Sequence, residues 1–299
     1  MIRIRRGMAG LTGIGLLATV LAGCLDAPVP SAAPTPTGTP EPTPVTTTYR
    51  LGASVWYEGL VLRVDSVTAE LDARGGPVEL HLRIDNPQEE QGELDGKIRL
   101  HIGEAYVDAT RESTIPPVPE QGSLGAVLTY ELQGISSIDD AVLEIGAEPF
   151  HVAKVPLTPG AGRPAFFEPI DMEIKGVNTA GSTKITLKRA LLRWDLPDWS
   201  QELDAGLAAL TITYDVTYTG DFSGGLAFTG ESVALRLPDG TVVEHRADGH
   251  SQSVELIGPG KTKKALFSRF EIPAGATGEF ALLVRSGSTT KAILFSIDG

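Results

Sequence analysis

The densest run of chemistry-bearing side chains is "VEHRADGH" (243–250), where Glu244, His245, Asp248 and His250 fall within seven residues. Imidazoles and carboxylates are ligands for zinc or nickel, and a hairpin tip could bring them together. The spacing matches no established metal signature, however, and "ADGH" also reads as a solvated turn after a strand. A second run, "RWDLPDWSQELD" (193–204), sets Asp195, Asp198, Glu202 and Asp204 around two tryptophans. Loop oxygens suit calcium, but the central glycine of a calcium loop is missing. The indoles could instead stack on a sugar ring. Trp194, Asp195, Asp198 and Trp199 therefore form a candidate ligand loop, against a structural reading in which one tryptophan is core and the other covers a sandwich edge. His81, His101 and His151 fall on three apparent strands and would have to converge before any catalytic role. "GPGKTKKA" (258–265) contains the GKT of a phosphate loop, but Glu255 stands where the required glycine belongs. No Gly-x-Ser-x-Gly elbow occurs. These residues assemble no catalytic set, point to no enzyme, and call for no cofactor.

Cys24 is the only cysteine of the 299 residues, so neither a disulfide framework nor a multi-cysteine metal site can form. It follows a basic start (Arg3, Arg5, Arg6) and an apolar stretch running from Gly7 to Gly23. That layout is an export signal. The four residues "LAGC" (Leu21, Ala22, Gly23, Cys24) resemble the lipobox of bacterial lipoproteins. The resemblance implies that the Cys24 thiol receives a diacylglyceryl group and that cleavage leaves Cys24 as the first residue. Two acyl chains hold a protein on a membrane, where a single chain binds only marginally. The alternatives are an uncleaved anchor and an ordinary signal peptide with an incidental cysteine. The expected location is the bacterial cell membrane, lipid-anchored and facing outside the cytoplasm.

The formal charge is −13, and residues 1–23 contain three basic residues and no acid, so the processed body is more acidic still. Such a body repels nucleic acid and anionic headgroups, leaving the lipid anchor as the membrane contact and an envelope protein or small ligand as partner. From Ala27 to Thr48, "APVPSAAPTPTGTPEPTPVTTT" offers proline and threonine but no large apolar residue. Proline fixes φ and removes a donor, so this segment favours extended polyproline geometry. Residues 24–48 read as a lipidated cysteine and a spacer reaching on the order of 75 Å at ~3.1 Å per residue. A proline-rich recognition ligand is the other reading of the segment.

After the spacer the pattern changes to short alternating or β-branched runs such as "LVLRVDSV", "VELHLRID" and "AVLTYEL", bounded by Gly, Pro and Asp. These are strands. The sole helix candidate is "WSQELDAGLAAL" (199–210), weakened by Gly206. The second half repeats the first: "LVLRVD" (60–65) matches "ALLRWD" (190–195), and "VELHLRID" (78–85) matches "ALTITYDV" (209–216). "IRLHIG" (98–103) matches "VALRLP" (233–238), "AVLTYEL" (126–132) matches "LFSRFEI" (266–272), and Leu143 matches Leu283. The expected fold is all-β: two tandem immunoglobulin-like antiparallel sandwiches at 49–157 and 165–299, with "TPGAGRP" (158–164) between them. Trp56 or Trp194 could serve as a core aromatic. In "YRLGASVWYEGLVLRVDSV" (49–67), in "LRIDN" (82–86) and in the apolar strands after Gly122 and Gly260, the chain resembles a family of bacterial lipoproteins and secreted proteins. These carry immunoglobulin-like domains of uncharacterised function and are related to a mycobacterial secreted immunogenic protein. The second half has "VTYTG" where the first has "IDNP". The resemblance implies a sandwich used for binding or envelope structure and brings no catalytic residues. A non-catalytic binding or scaffolding module is the leading expectation, and a solute- or carbohydrate-binding lipoprotein using the 193–204 loop is the alternative.

Overall fold

The computed structural model describes residues 43–160, 167–246 and 254–297. Cys24, the stretch read as an export signal and most of the residues read as a spacer lie outside the described residues. The first half contains β1 (Val45–Tyr57), β2 (Leu60–Leu71), β3 (Gly75–Asp85), β4 (Ile98–Ile102), β5 (Ala105–Asp108), β6 (Ser123–Gln133), β7 (Val142–Ile145) and β8 (Ala153–Pro156). The second half opens with β9 (Ile170–Glu173), β10 (Val177–Ala180), β11 (Thr183–Arg193), β12 (Asp195–Leu196), β13 (Gln201–Glu202) and β14 (Leu207–Tyr218). It continues with β15 (Leu226–Phe228), β16 (Val233–Arg236), β17 (Val242–Glu244), β18 (Glu255–Ile257), β19 (Thr262–Pro273), β20 (Gly278–Ser286) and β21 (Thr289–Ile297).

The fold is an all-β sandwich. Strands β1-β2-β3-β6 form one sheet and β5-β4-β7-β8 the facing one; the corresponding second-half sheets are β10-β11-β14-β19 and β17-β16-β20-β21. Strand β9 pairs with β11 beside β10, so β9 and β10 together take the place that β1 fills in the first half. Within each half the chain changes sheet so that non-consecutive strands become neighbours: β3 beside β6, β4 beside β7, β14 beside β19, β16 beside β20. Such exchanges between facing antiparallel sheets close a sandwich around one apolar interior per half. Alternation builds the interiors. In β3, Val78, Leu80, Leu82 and Ile84 point inward while Glu79, His81 and Arg83 face out. Two separate apolar cores result, one holding Tyr57, Leu62, Leu80 and Tyr130, the other Tyr214, Phe228, Phe270 and Phe280.

The repetition of the halves is real in strand order, but its register differs from the sequence match. Leu60 pairs with Tyr57 across the β1–β2 hairpin as Thr183 pairs with Ala180 across the β10–β11 hairpin. The pairing of β2 with β3 shifts between Val64 and Ser66, and that of β11 with β14 between Leu187 and Arg189. The equivalent of Leu60 is therefore Thr183 and not Ala190. Leu62, Val64, Val67 and Ala69 correspond to the buried Ile185, Leu187, Ala190 and Leu192. Likewise Leu143, opposite Leu100, corresponds to Leu282, opposite Leu235; Leu283 lies on the other face.

Three further expectations are corrected. The segment 199–210 is not helical: it holds the end of a 3-10 turn, β13, and the start of β14. Among the described residues the only helical turns are 3-10, at Pro197–Trp199 and Gly230–Ser232. Strand β1 begins at Val45, inside the segment assigned to the spacer, because the β-branched "VTTT" pairs with Leu71 to Thr68. Trp56 is not a core aromatic. It alternates with the buried Val55 and Tyr57 and so faces outward.

Candidate functional site

The two-residue turn between β1 and β2, Glu58-Gly59, takes positive φ at both positions (50° and 82°), the geometry a tight hairpin requires. Its tip presses on the second half. A Cβ added to Gly59 would meet the Pro197 Cβ at 2.8 Å, so both the backbone and the contact call for glycine. The segment 193–205 receives the tip. Asp195 and Glu202 are direct partners across β12 and β13, and both are buried. Opposed acids repel unless something satisfies them. Asp195 accepts from the Gly59 N–H (2.6 Å) and from the Arg193 guanidinium (2.7 and 3.0 Å). Glu202 Oε2 accepts from the Glu58 N–H (3.2 Å), and Glu202 Oε1 lies 3.4 Å from His151 Nδ1. Glu58 is itself buried and its Oε2 accepts from the N–H groups of Asp95 (2.8 Å) and Gly96 (3.2 Å). The loop holding His151 adds backbone bonds to the second half, from His151 N–H to the Leu203 carbonyl and from Ala205 N–H to the Pro149 carbonyl.

Burial pushes the Glu58 carboxyl up to about 7 against the two backbone donors that favour its ionised form, with the charges of Asp95 and Asp195 raising it further. Glu202 rises to about 7 chiefly through burial; His151 and the Glu58 N–H oppose the rise, and Asp195 adds to it. Tyr57, whose hydroxyl donates to the His151 carbonyl (3.3 Å), is raised by burial and by both glutamates. Acid–base groups from distant parts of the chain thus meet at the junction of the halves. Beside them opens a cleft of about 340 Å³ whose walls include Glu58, Asn86, Glu90, Pro197 and Asp198. Of the junction's acid–base groups, Glu58 reaches its wall; Glu202 and His151 do not.

The candidate ligand loop is divided between the junction, the second core and the cleft, whose wall Asp198 joins. Asp195 is buried in the junction, Trp194 packs partly buried against the second core, and Asp198 accepts from Arg269 (2.7 Å). Trp199 is half exposed, so the loop carries one partly buried and one exposed indole. The three histidines do not converge. His81 lies on the outer face of β3, His101 stacks on Tyr106 (4.4 Å) beside the buried Glu144, and His151 is sealed in the junction. Glu244 forms a two-bond pair with Arg285 (2.6 and 2.7 Å), which holds its carboxyl below the ordinary range. His245 packs over Gly230, whereas Asp248 and His250 lie outside the described residues. Among the described residues no group of three His, Cys, Asp or Glu is placed to hold a metal ion. Lys261 and Thr262 lead into β19 and not into a helix, so the GKT stretch is a turn. Asn86 of "LRIDN" is a staple: its Nδ2 donates to the carbonyls of Glu90, Val118 and Pro119, and its Oδ1 accepts from Gln88 N–H.

Sequence reading missed Glu58 and the Glu58–Glu202 contact. The available signal was "YEGL", where a two-residue hairpin turn places an acid at its tip. Among the described residues no helix is long and apolar enough to cross a membrane. No family model matches the chain, and no curated protein matches it. Among solved structures, the crystal structure of a conserved domain protein from Bacillus anthracis is similar over 84% of this chain and 90% of its own, at 10% identity and a TM-score of 0.25.

Proposed function

We propose that the chain is an extracytoplasmic lipoprotein, anchored through Cys24 and raised on the Pro/Thr spacer, whose sandwiches act as a non-catalytic binding or scaffolding module at the cell envelope. One observation carries the non-catalytic part. The polar groups at the junction serve to fix one half on the other: Asp195 and Glu202 accept N–H groups from the β1–β2 turn, and Glu202 and His151 stand away from the cleft. The "LAGC" junction supports the anchor, and the resemblance to immunoglobulin-like lipoproteins supports a binding or envelope role. A second reading, capture of a small solute, draws on the cleft, because Pro197, Asp198 and Ser200 of the 193–204 loop contribute to its wall.

Cross-linking on intact cells, followed by identification of captured proteins, tests the first reading. It expects specific envelope partners that disappear when Cys24→Ala releases the chain from the membrane. A Cys24→Ala protein that is processed and retained like the wild type overturns the anchor. An empty capture together with a ligand-induced thermal shift moves the function to solute binding.

A further inference from the structure

The outer face of the first sheet carries an arrangement that the junction does not use. Strand register lays its outward residues in rows across β1, β2, β3 and β6. One row is Trp56, Val61, Asp85 and Ser123; the next is Ser54, Arg63, Arg83 and Gly125. Trp56, Val61, Arg63, Arg83 and Asp85 line a shallow depression of about 430 Å³, and Gly125 carries the arginine row to β6 at the sheet edge.

Stability does not account for this composition. Arg63 and Arg83 are direct cross-strand partners, a placement in which like charges repel. Their side chains are 53% and 57% exposed, and both reach the single Asp85 through Nε, at 3.3 and 3.0 Å. Trp56 places a large aromatic on the outer face, with the Arg193 guanidinium 5.8 Å from its ring. Gly125 interrupts a strand without a left-handed backbone, and an added Cβ would meet only the Leu82 carbonyl oxygen, at 3.9 Å. Neither conformation nor packing requires glycine there. Glycine weakens a strand interior and commonly marks the close approach of a ligand or another backbone.

We propose that this face binds a sugar acid, its ring laid on Trp56 above the buried Val61, its carboxylate held by Arg63 and Arg83, and its chain crossing Gly125. The inference rests on the binding reading above and names its ligand class. Guanidinium forks match carboxylate oxygens two at a time, and ten N–H donors on two arginines exceed what Asp85 can accept. An indole face suits the apolar face of a pyranose. The chain's negative charge is screened beyond about 8 Å at physiological salt, so a short acidic oligosaccharide fits better than a long polyanion.

The test uses the full-length chain in detergent micelles, titrated with trigalacturonate, monomeric galacturonic acid and neutral maltotriose, with tryptophan fluorescence and calorimetry as readouts. Saturable binding of trigalacturonate without binding of maltotriose is expected. Equal affinity per ring for the monomer assigns the site to a free sugar acid; preference for the trimer assigns it to a glycan chain. Arg63→Gln and Arg83→Gln should each weaken binding at least about tenfold. Gly125→Thr should weaken binding while the melting temperature holds or rises, since a β-branched residue favours the strand. The inference is overturned if folded wild-type protein binds neither acid sugar, if maltotriose binds equally, or if Gly125→Thr binds like the wild type. Partner capture on cells without sugar-acid binding refutes this site and leaves the broader binding reading standing.

Discussion

Raising the pH from about 5 to about 8 should weaken the protein through Glu58 and Glu202, and Glu202→Gln should remove much of that weakening. Both carboxyls stand near 7 in the folded chain against an ordinary 4.5. A group with a raised folded pKa binds its proton more tightly in the native state. Its stabilisation is complete below 4.5 and is lost as pH rises to about 7. At about 1.4 kcal/mol per pKa unit, the displacement of Glu202 corresponds to about 3 kcal/mol. The two glutamates do not add in full, because both feel Asp195 and the Glu58 N–H joins them. Glutamine keeps the size and the acceptor for the Glu58 N–H without the charge. Urea unfolding at the two pH values reads the effect directly. The Glu202→Gln variant should lie within about 1 kcal/mol of wild type at the lower pH and exceed it by up to about 3 kcal/mol at the higher. Wild-type stability that is level or rising across this range, with the variant tracking it, refutes the reasoning.

Gly59→Ala should cost about 2 kcal/mol, combining a left-handed backbone with the Pro197 clash. Gly103→Ala, at φ +60° with open space around it, should cost about half as much; thermal unfolding of both separates contact from conformation. Asn86→Ala leaves the carbonyls of Glu90, Val118 and Pro119 without their shared donor and should cost about 2–3 kcal/mol. Faster proteolysis between β3 and β4 is its second signature. Phe280→Ala in the second core should cost about 3–5 kcal/mol, whereas Phe222→Ala, 66% exposed, should stay within about 0.5 kcal/mol by the same unfolding assay.

The strands were legible because alternation is local: Val78, Leu80, Leu82 and Ile84 announce an inward face without reference to the rest of the chain. The repeat was legible in strand order, but "LVLRVD" matched "ALLRWD" in the wrong register. Alternating strings agree at many shifts, and the position of the bulge, which the sequence does not mark, sets the true one. Trp56 could have been placed outward from its neighbours Val55 and Tyr57 alone. The junction was not legible. Glu58 and Glu202 each resemble surface acids, and only the fold brings residues 144 positions apart into contact. Asn86 stood out as part of a motif, yet its role as a staple depends on carbonyls that a separate loop supplies.

The anchoring of the chain can be read from the intact mass and N-terminal residue of the protein extracted from the membrane fraction. The expected species begins at Cys24 and carries a diacylglyceryl group on its sulfur. A chain that begins at any other residue, or one that begins at Cys24 with a free thiol, contradicts a lipid-anchored envelope protein.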